Sequence, residues 1–322
     1  MLPVAGPDLD AEYRQVREEC GLVRSDDRFW LAVNGADAAE FLQSQVTNET
    51  VDLEPGSGVY AALLDRKGHI QADMRILRLA TDSFLVDTGQ VTGPALLKHL
   101  TMYKIGREVE IAEAARSTIS LVGPAAFNVA GLAPGQENDF ETATIAGGSC
   151  LVAATAFGLD VICEPEAEAA VRAELEARRA VPVSQAAVEI VRVERGRPSF
   201  GREMSDANMP AEAGIVERAV SFTKGCYIGQ EPVARLHYKG RPNRHLRGLK
   251  TAAAISEDDL ATLDGRELGK VGTAVLSPAH GWIALAILRK EAEPGVTVSI
   301  DTAAGPIDAE VVQLPFSEGP DS

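Results

Sequence analysis

The alternation of apolar and polar residues changes period several times along the chain, and each change predicts an element. In residues 10–20 the apolar positions Tyr13, Val16 and Cys20 recur at helical spacing, and Gly21 follows as a stop signal. Residues 29–33 read as a strand, and 36–45 as a helix that turns Phe41, Leu42 and Val46 inward. Two strand-like runs, 59–64 and 70–79, flank the turn Asp65-Arg66-Lys67-Gly68 and predict a hairpin. Its second arm alternates Ile70, Ala72, Met74 and Ile76 with Gln71, Asp73 and Arg75. A strand at 84–87 and a helix at 93–103 follow. Further on, 119–122 reads as a strand and 131–148 as loops, while 150–155 and 159–163 read as paired strands that bury Cys150 and Cys163. Helices are expected at 165–179, with proline in the first turn, and at 186–195, closed by Gly196. Hairpins mixed irregularly with helices predict an α+β fold rather than a doubly wound parallel sheet.

After Arg244 the texture changes. Short strand-like runs at 271–276, 282–288, 296–300 and 309–314 are separated by glycine and proline, the pattern of a small barrel or sandwich. The expected division is therefore an α+β region over residues 1–244 and a β-barrel over 245–322, with 318–322 as a frayed tail.

Composition narrows the function classes. The 322 residues are 45% hydrophobic, enough for sizeable cores, and the longest apolar run, 282–288, is far short of the ~20 residues a membrane helix needs. No basic, apolar leader precedes residue 10, so the expectation is a cytoplasmic protein with no membrane partner. The formal charge of −16, from 31 Lys+Arg against 47 Asp+Glu, argues against a broad nucleic-acid face. The four cysteines, Cys20, Cys150, Cys163 and Cys226, have no ligand spacing, so no metal site is expected.

Candidate chemistry concentrates in Lys224-Gly225-Cys226-Tyr227-Ile228-Gly229-Gln230-Glu231. Two glycines bracket the cysteine, and Pro232 marks the first turn of a following helix. Cys226 then lies near a helix N-terminus with Lys224 two residues away, and both favour a thiolate. An inert thiol in a tight loop gives the same pattern. From residue 224 to 250 there are seven lysines and arginines against Glu231 alone, a net of +6 on an acidic chain. Such a strip suits a specific anion, or salt bridges on a solvated face. Arg235, four residues after Glu231, is its leading anion contact, and His237 and His245 read as surface or anion contacts. Arg192 and Glu194 form a polar pair that could serve a pocket, and Tyr60 and Asp73 on the hairpin are further ligand candidates.

The octapeptide, followed by Ala234-Arg235 and Lys239-Gly240-Arg241, resembles the signature of the YgfZ family of folate-binding proteins, relatives of the glycine-cleavage T-protein. Weaker resemblances appear in the expected order: Gly35-Ala36-Asp37, Phe41-Leu42-Gln43 and Gln45-Val46-Thr47-Asn48; the hairpin at 58–73; Arg192-Val193-Glu194-Arg195-Gly196; and 269–276 with Pro315-Phe316. The resemblance implies two interleaved α+β modules and a C-terminal barrel around a central hole that holds tetrahydrofolate or a derivative. It implies folate and iron–sulfur client enzymes or assembly proteins as partners, and the acidic charge of the chain leads to no expectation of direct nucleic-acid contact. The implied role is assembly or repair of iron–sulfur clusters, including those of tRNA-modifying enzymes, through Cys226 and Lys224. The other reading it leaves open is a folate-dependent aminomethyl or one-carbon transferase. The same resemblance favours Glu194 as a folate contact and gives Trp30 or Phe29 a place beside the ligand; Arg192, Arg235, Tyr60 and Asp73 remain candidate contacts on their own chemistry. It also shows departures. T-proteins place a catalytic aspartate seven residues after an asparagine; here Asp87 stands at the asparagine position and Pro94 at the aspartate position. The glutamate that grips the pterin in T-proteins has no counterpart in Phe157-Gly158-Leu159-Asp160, and Ala187-Val188 cannot stack as an indole does.

Overall fold

The computed structural model describes residues 8–133 and 135–316; the tail expected at 318–322 lies outside them. The chain divides into two compact units. The first comprises Met1–Arg66, Gln71–Ala187 and Arg218–Gln230; the second comprises Lys67–Ile70, Val188–Glu217 and Glu231–Ser322.

The first unit contains two sheets. One has the order β3-β4-β5-β2-β6, formed by β2 (Arg28–Asn34), β3 (Gly58–Leu64), β4 (Ile70–Ala80), β5 (Ser83–Gly89) and β6 (Glu110–Glu113). Period-2 alternation decides its faces. Leu31, Val33, Ala61, Leu63, Ala72, Met74, Ile76, Phe84 and Val86 point one way, into a core closed by α2 (Ala38–Gln45) and α3 (Gly93–Tyr103). Arg28, Trp30, Tyr60, Asp73, Arg75, Leu77, Leu85 and Asp87 occupy the alternate positions.

The second sheet has the order β11-β1-β7-β10-β9-β8. Its strands are β1 (Gly21–Arg24), β7 (Ser117–Val122), β8 (Phe140–Ile145), β9 (Gly148–Thr155), β10 (Gly158–Cys163) and β11 (Val181–Pro182). One face packs Ile119, Leu121, Val152, Leu159 and Val161 against α4 (Ala126–Ala130) and α5 (Glu168–Ala177), with Cys20, Cys150 and Cys163 in the same core. From the other face Ala153 and Ile162 meet Trp30, Leu77 and Leu85 of the first sheet. A buried ionic chain lies between the two sheets. Arg28 Nε donates to Asp87 Oδ1 at 2.6 Å, and Arg75 Nη2 lies 2.7 Å from Asp87 Oδ2 and 2.9 Å from Asp160 Oδ2. Burial alone would lower the Arg28 pKa, but Asp87 holds it above the ordinary guanidinium value.

The second unit carries a closed six-stranded barrel, β12-β15-β14-β13-β16-β17. Its strands are β12 (Arg244–Thr251), β13 (Leu260–Leu263), β14 (Arg266–Ser277), β15 (Gly281–Arg289), β16 (Thr297–Thr302) and β17 (Gly305–Val312). Alternate small and branched residues, among them Ala261, Val271, Ala284, Ala286, Val298 and Val311, fill its interior. The remaining helices are α1 (Leu9–Glu18), α6 (Gln185–Glu194), α7 (Val216–Ala219) and α8 (Gln230–Lys239). No helix among the described residues is long and apolar enough to cross a membrane.

The fold class is the α+β arrangement with a C-terminal barrel that the sequence predicts, and several local readings change. Gly21 is not a helix cap: α1 ends at Glu18, and Gly21 opens β1, where an added Cβ would come 2.5 Å from Val16. Within the 131–148 stretch expected as loops, β8 pairs with β9 through a tight turn in which Ala146 and Gly147 both have positive φ. An alanine at such a position hides the turn signal. Arg75 of β4 and Asp87 of β5, for which the pattern alone gives no partner, are buried against the second sheet. Asp87→Asn, which leaves two guanidinium groups facing a neutral amide, is expected to lower the unfolding free energy by about 3–5 kcal/mol in urea titrations. A loss under about 1 kcal/mol would mean that the ionic chain does not hold the two sheets together.

Candidate functional site

The site is built around a short elbow. At the end of α2 the backbone turns extended at Val46, and Thr47 and Asn48 spend their polar groups on three neighbouring segments. Thr47 Oγ1 donates to Ala219 O at 2.5 Å and accepts from Ala62 N at 2.8 Å. Asn48 Nδ2 donates to Tyr60 O at 2.9 Å and to Arg218 O at 3.0 Å. Ser221 N donates to Thr47 O at 3.0 Å. The elbow therefore joins β3, α7 and the start of the octapeptide loop.

Lys224 completes the joint. Its Nζ donates to Val46 O at 2.7 Å and to Asn48 O at 2.6 Å, and lies 5.2 Å from the centre of the Tyr227 ring. The residue is 8% exposed. Burial pulls its pKa down to about 8, against the opposing pull of Glu49. The sequence reading gives this ammonium to the thiol; the structure spends it on the elbow carbonyls. Tyr227 is buried beside it, and burial pushes its phenol up to about 12.

Cys226, between these two buried side chains, is exposed, while Cys20, Cys150 and Cys163 are buried. Burial pushes the Cys20 and Cys163 thiols up to about 11 and raises that of Cys150. Gly225 has open space where a Cβ would stand. Gly229 has a φ of +82°, a left-handed conformation that suits glycine, and turns the chain into α8. Gln230 Nε2 reaches back to Gly225 O at 3.5 Å.

Two of the predicted ligand residues lie together on the inner face of the first sheet. Tyr60 Oη donates to Asp73 Oδ2 at 2.8 Å, and the Arg218 guanidinium stands 4.6 Å over the Tyr60 ring while bonding Glu137 at 2.8 Å. Burial raises the Asp73 carboxyl and, more strongly, the Tyr60 phenol above their ordinary values. Trp30 belongs to the same sheet but not to an open surface. It is 2% exposed, packs with Leu77, Leu85, Ala153 and Ile162, and has the Arg75 guanidinium 5.9 Å over its ring, so the indole is already covered. Asn48, Arg218, Arg28 and Arg75 are missed by the sequence reading. Only Asn48, within Gln45-Val46-Thr47-Asn48, carries a signal there.

The other predicted contacts lie in the second unit. The Arg192 guanidinium is saturated: its nitrogens donate to both oxygens of Glu189, both of Glu203, Arg197 O and Thr273 Oγ1. It is a structural ion-pair centre and has no donor left for a ligand carboxylate. Glu194 is buried and accepts from Ser277 Oγ at 2.6 Å. Arg235 sits on the exposed side of α8, paired with Glu231 at 3.0 Å. Among the described residues, no group of three or more His, Cys, Asp or Glu could hold a metal ion.

Comparison with known proteins accounts for both halves of the chain. Residues 5–224 match the family model described as the GCVT N-terminal domain, and residues 244–318 match that of the glycine cleavage T-protein C-terminal barrel domain. Over 338 residues the chain is 27% identical to the aminomethyltransferase of Geobacillus kaustophilus (strain HTA426), covering 98% of this chain and 92% of that protein. The crystal structure of the glycine cleavage system aminomethyltransferase T from Bartonella henselae superposes with a TM-score of 0.87 at 22% identity, covering 98% of this chain and 91% of that one. That likeness shows the shared fold.

Two outcomes follow from the thiol and ammonium environments. Alkylation of the folded protein, read by peptide mass, should label Cys226 well before the three buried cysteines; earlier labelling of Cys20, Cys150 or Cys163 would contradict the assignment. For Lys224 the folded pKa, about 8, lies below the unfolded value of 10.5. Between these two values the unfolded chain binds more protons, so this group makes stability rise with pH across that window. Urea unfolding of Lys224→Met at pH 8 and 10 should show that rise reduced relative to the parent chain; an unchanged pH slope would contradict the buried-ammonium account.

Proposed function

The chain belongs to the glycine cleavage T-protein family, and on that premise we propose that it binds a reduced folate and assists assembly or repair of iron–sulfur clusters in client enzymes through Cys226. The observation that carries the reading is the placement of the thiol. It is the exposed cysteine of the four, on a loop that a buried Lys224 fixes to the same elbow that holds Tyr60. A loop anchored this firmly presents a side chain rather than hiding it.

The folate would lie along Tyr60, Asp73 and Arg218. A carboxylate can accept paired N–H donors from a pterin edge, and a guanidinium can hold a carboxylate of the glutamate tail. When bound, the folate would supply a one-carbon unit or an electron-rich pterin. The residues of this chain would orient it, with the Tyr60–Asp73 hydrogen bond fixing the carboxylate. Aminomethyltransferase relatives support a tetrahydrofolate ligand in this fold.

A second reading, folate-dependent aminomethyl or one-carbon transfer, is favoured by the match along nearly the whole chain to an aminomethyltransferase. The local chemistry weighs against it. The position that resembles the T-protein catalytic aspartate is Pro94, in the first turn of α3, and Asp87 is held between Arg28 and Arg75.

Calorimetry with tetrahydrofolate should show binding that Asp73→Asn weakens about tenfold or more, the usual worth of a charge-assisted hydrogen bond. An aminomethylated lipoyl carrier added with tetrahydrofolate should give no methylene-tetrahydrofolate. Robust formation of that product would establish the transferase reading, and absence of any folate binding would remove both.

A further inference from the structure

The cationic strip that follows the octapeptide divides into two parts with different surroundings. From residue 232 to 250 the chain has six lysines and arginines and no aspartate or glutamate. Two of the six serve the barrel: Arg244 Nη1 donates to Leu268 O at 3.3 Å and Arg247 Nε to Ala292 O at 2.9 Å. The others near α8 face outward. Arg235, His237, Tyr238, Lys239 and Arg241 are all exposed, and Tyr238 is 67% exposed, an unusual position for a large aromatic ring. Positions 231, 235 and 238 share one helix face, with Lys239 beside them and Arg241 just past the helix end. Glu231 pairs with Arg235, but both side chains are over 70% exposed, so the pair is screened and weak. No carboxylate among the described residues pairs with Lys239 or Arg241.

We propose that this face of α8, with Arg241 beyond it, is the docking surface for an acidic segment of a partner protein. The proposal rests on the reading that the protein serves client enzymes, and it names the chemistry by which a client would be recognised. α8 begins four residues after Cys226 in the chain, so the strip directly follows the segment that carries the thiol. Exposed guanidinium and ammonium groups around an exposed tyrosine match a carboxylate-rich segment with an apolar or aromatic residue among its acids. Charge also chooses between a protein segment and a nucleic acid. The whole chain carries −16, and a long polyanion meets that charge beyond the strip, whereas a short acidic segment is in range of the strip alone at a Debye length of about 8 Å.

The test uses a fluorescein-labelled decaglutamate peptide and a labelled tRNA, read by anisotropy at low and physiological salt. The peptide should bind at low salt, weaken as salt rises, and lose about tenfold or more in affinity on Lys239→Glu/Arg241→Glu, two exposed positions whose reversal leaves the core intact. The double variant should instead bind a decalysine peptide that the parent chain binds less well. No peptide binding at low salt, or equal binding by parent and double variant, overturns the proposal. Tighter binding of tRNA than of the peptide at physiological salt also overturns it and makes the strip a nucleic-acid face. Tetrahydrofolate calorimetry on the double variant separates the two readings: retained folate affinity alongside lost peptide binding assigns the effect to the strip.

Discussion

The candidate site depends on one buried charge. The Lys224 ammonium, with little water around it, is held by the carbonyls of Val46 and Asn48 and by the face of the Tyr227 ring. A buried cation is tolerated only where such partners replace its hydration. The carbonyls must be correctly placed, and they are placed by Thr47 and Asn48, whose side chains are committed to β3 and α7. The loop, the elbow and the Tyr60 strand are thus mutually dependent. Even as a neutral amine Lys224 keeps two N–H donors for the two carbonyls, so the joint survives its titration while its energetic cost changes.

This arrangement separates two kinds of chemistry within the first unit. The inner face of the β2–β5 sheet carries charged groups whose partners are mostly one another, and on it Tyr60 donates to Asp73 with the Arg218 guanidinium of α7 over the Tyr60 ring. The octapeptide loop carries an exposed thiol between the buried side chains of Lys224 and Tyr227. Asp87 is held between Arg28 and Arg75, and Pro94 lies in the first turn of α3.

Legibility from sequence followed the range of the interactions. The hairpin 58–80, α3 and the paired β9 and β10 obey local periodicity and local turn chemistry, and they lie where the sequence predicts them. The barrel strands β12 and β13 have no strong pattern of their own; closure with β15, β16 and β17 defines them. The octapeptide stands out in the sequence because its glycines fit neither helix nor strand. The role of Lys224 was not, because its partners lie about 180 residues away in sequence, at Val46 and Asn48. Arg192 misled for a related reason. A guanidinium beside a helix end reads as a ligand clamp, and only the folded arrangement shows Glu189 and Glu203 already occupying it.

The most direct test of the account is reactivation of a cluster-depleted iron–sulfur enzyme by the parent chain and by Cys226→Ser, with tetrahydrofolate affinity measured on the same two preparations. The account predicts that the serine variant binds folate as the parent does and restores no cluster absorbance or client activity. Reactivation by Cys226→Ser at the parent's rate would contradict it.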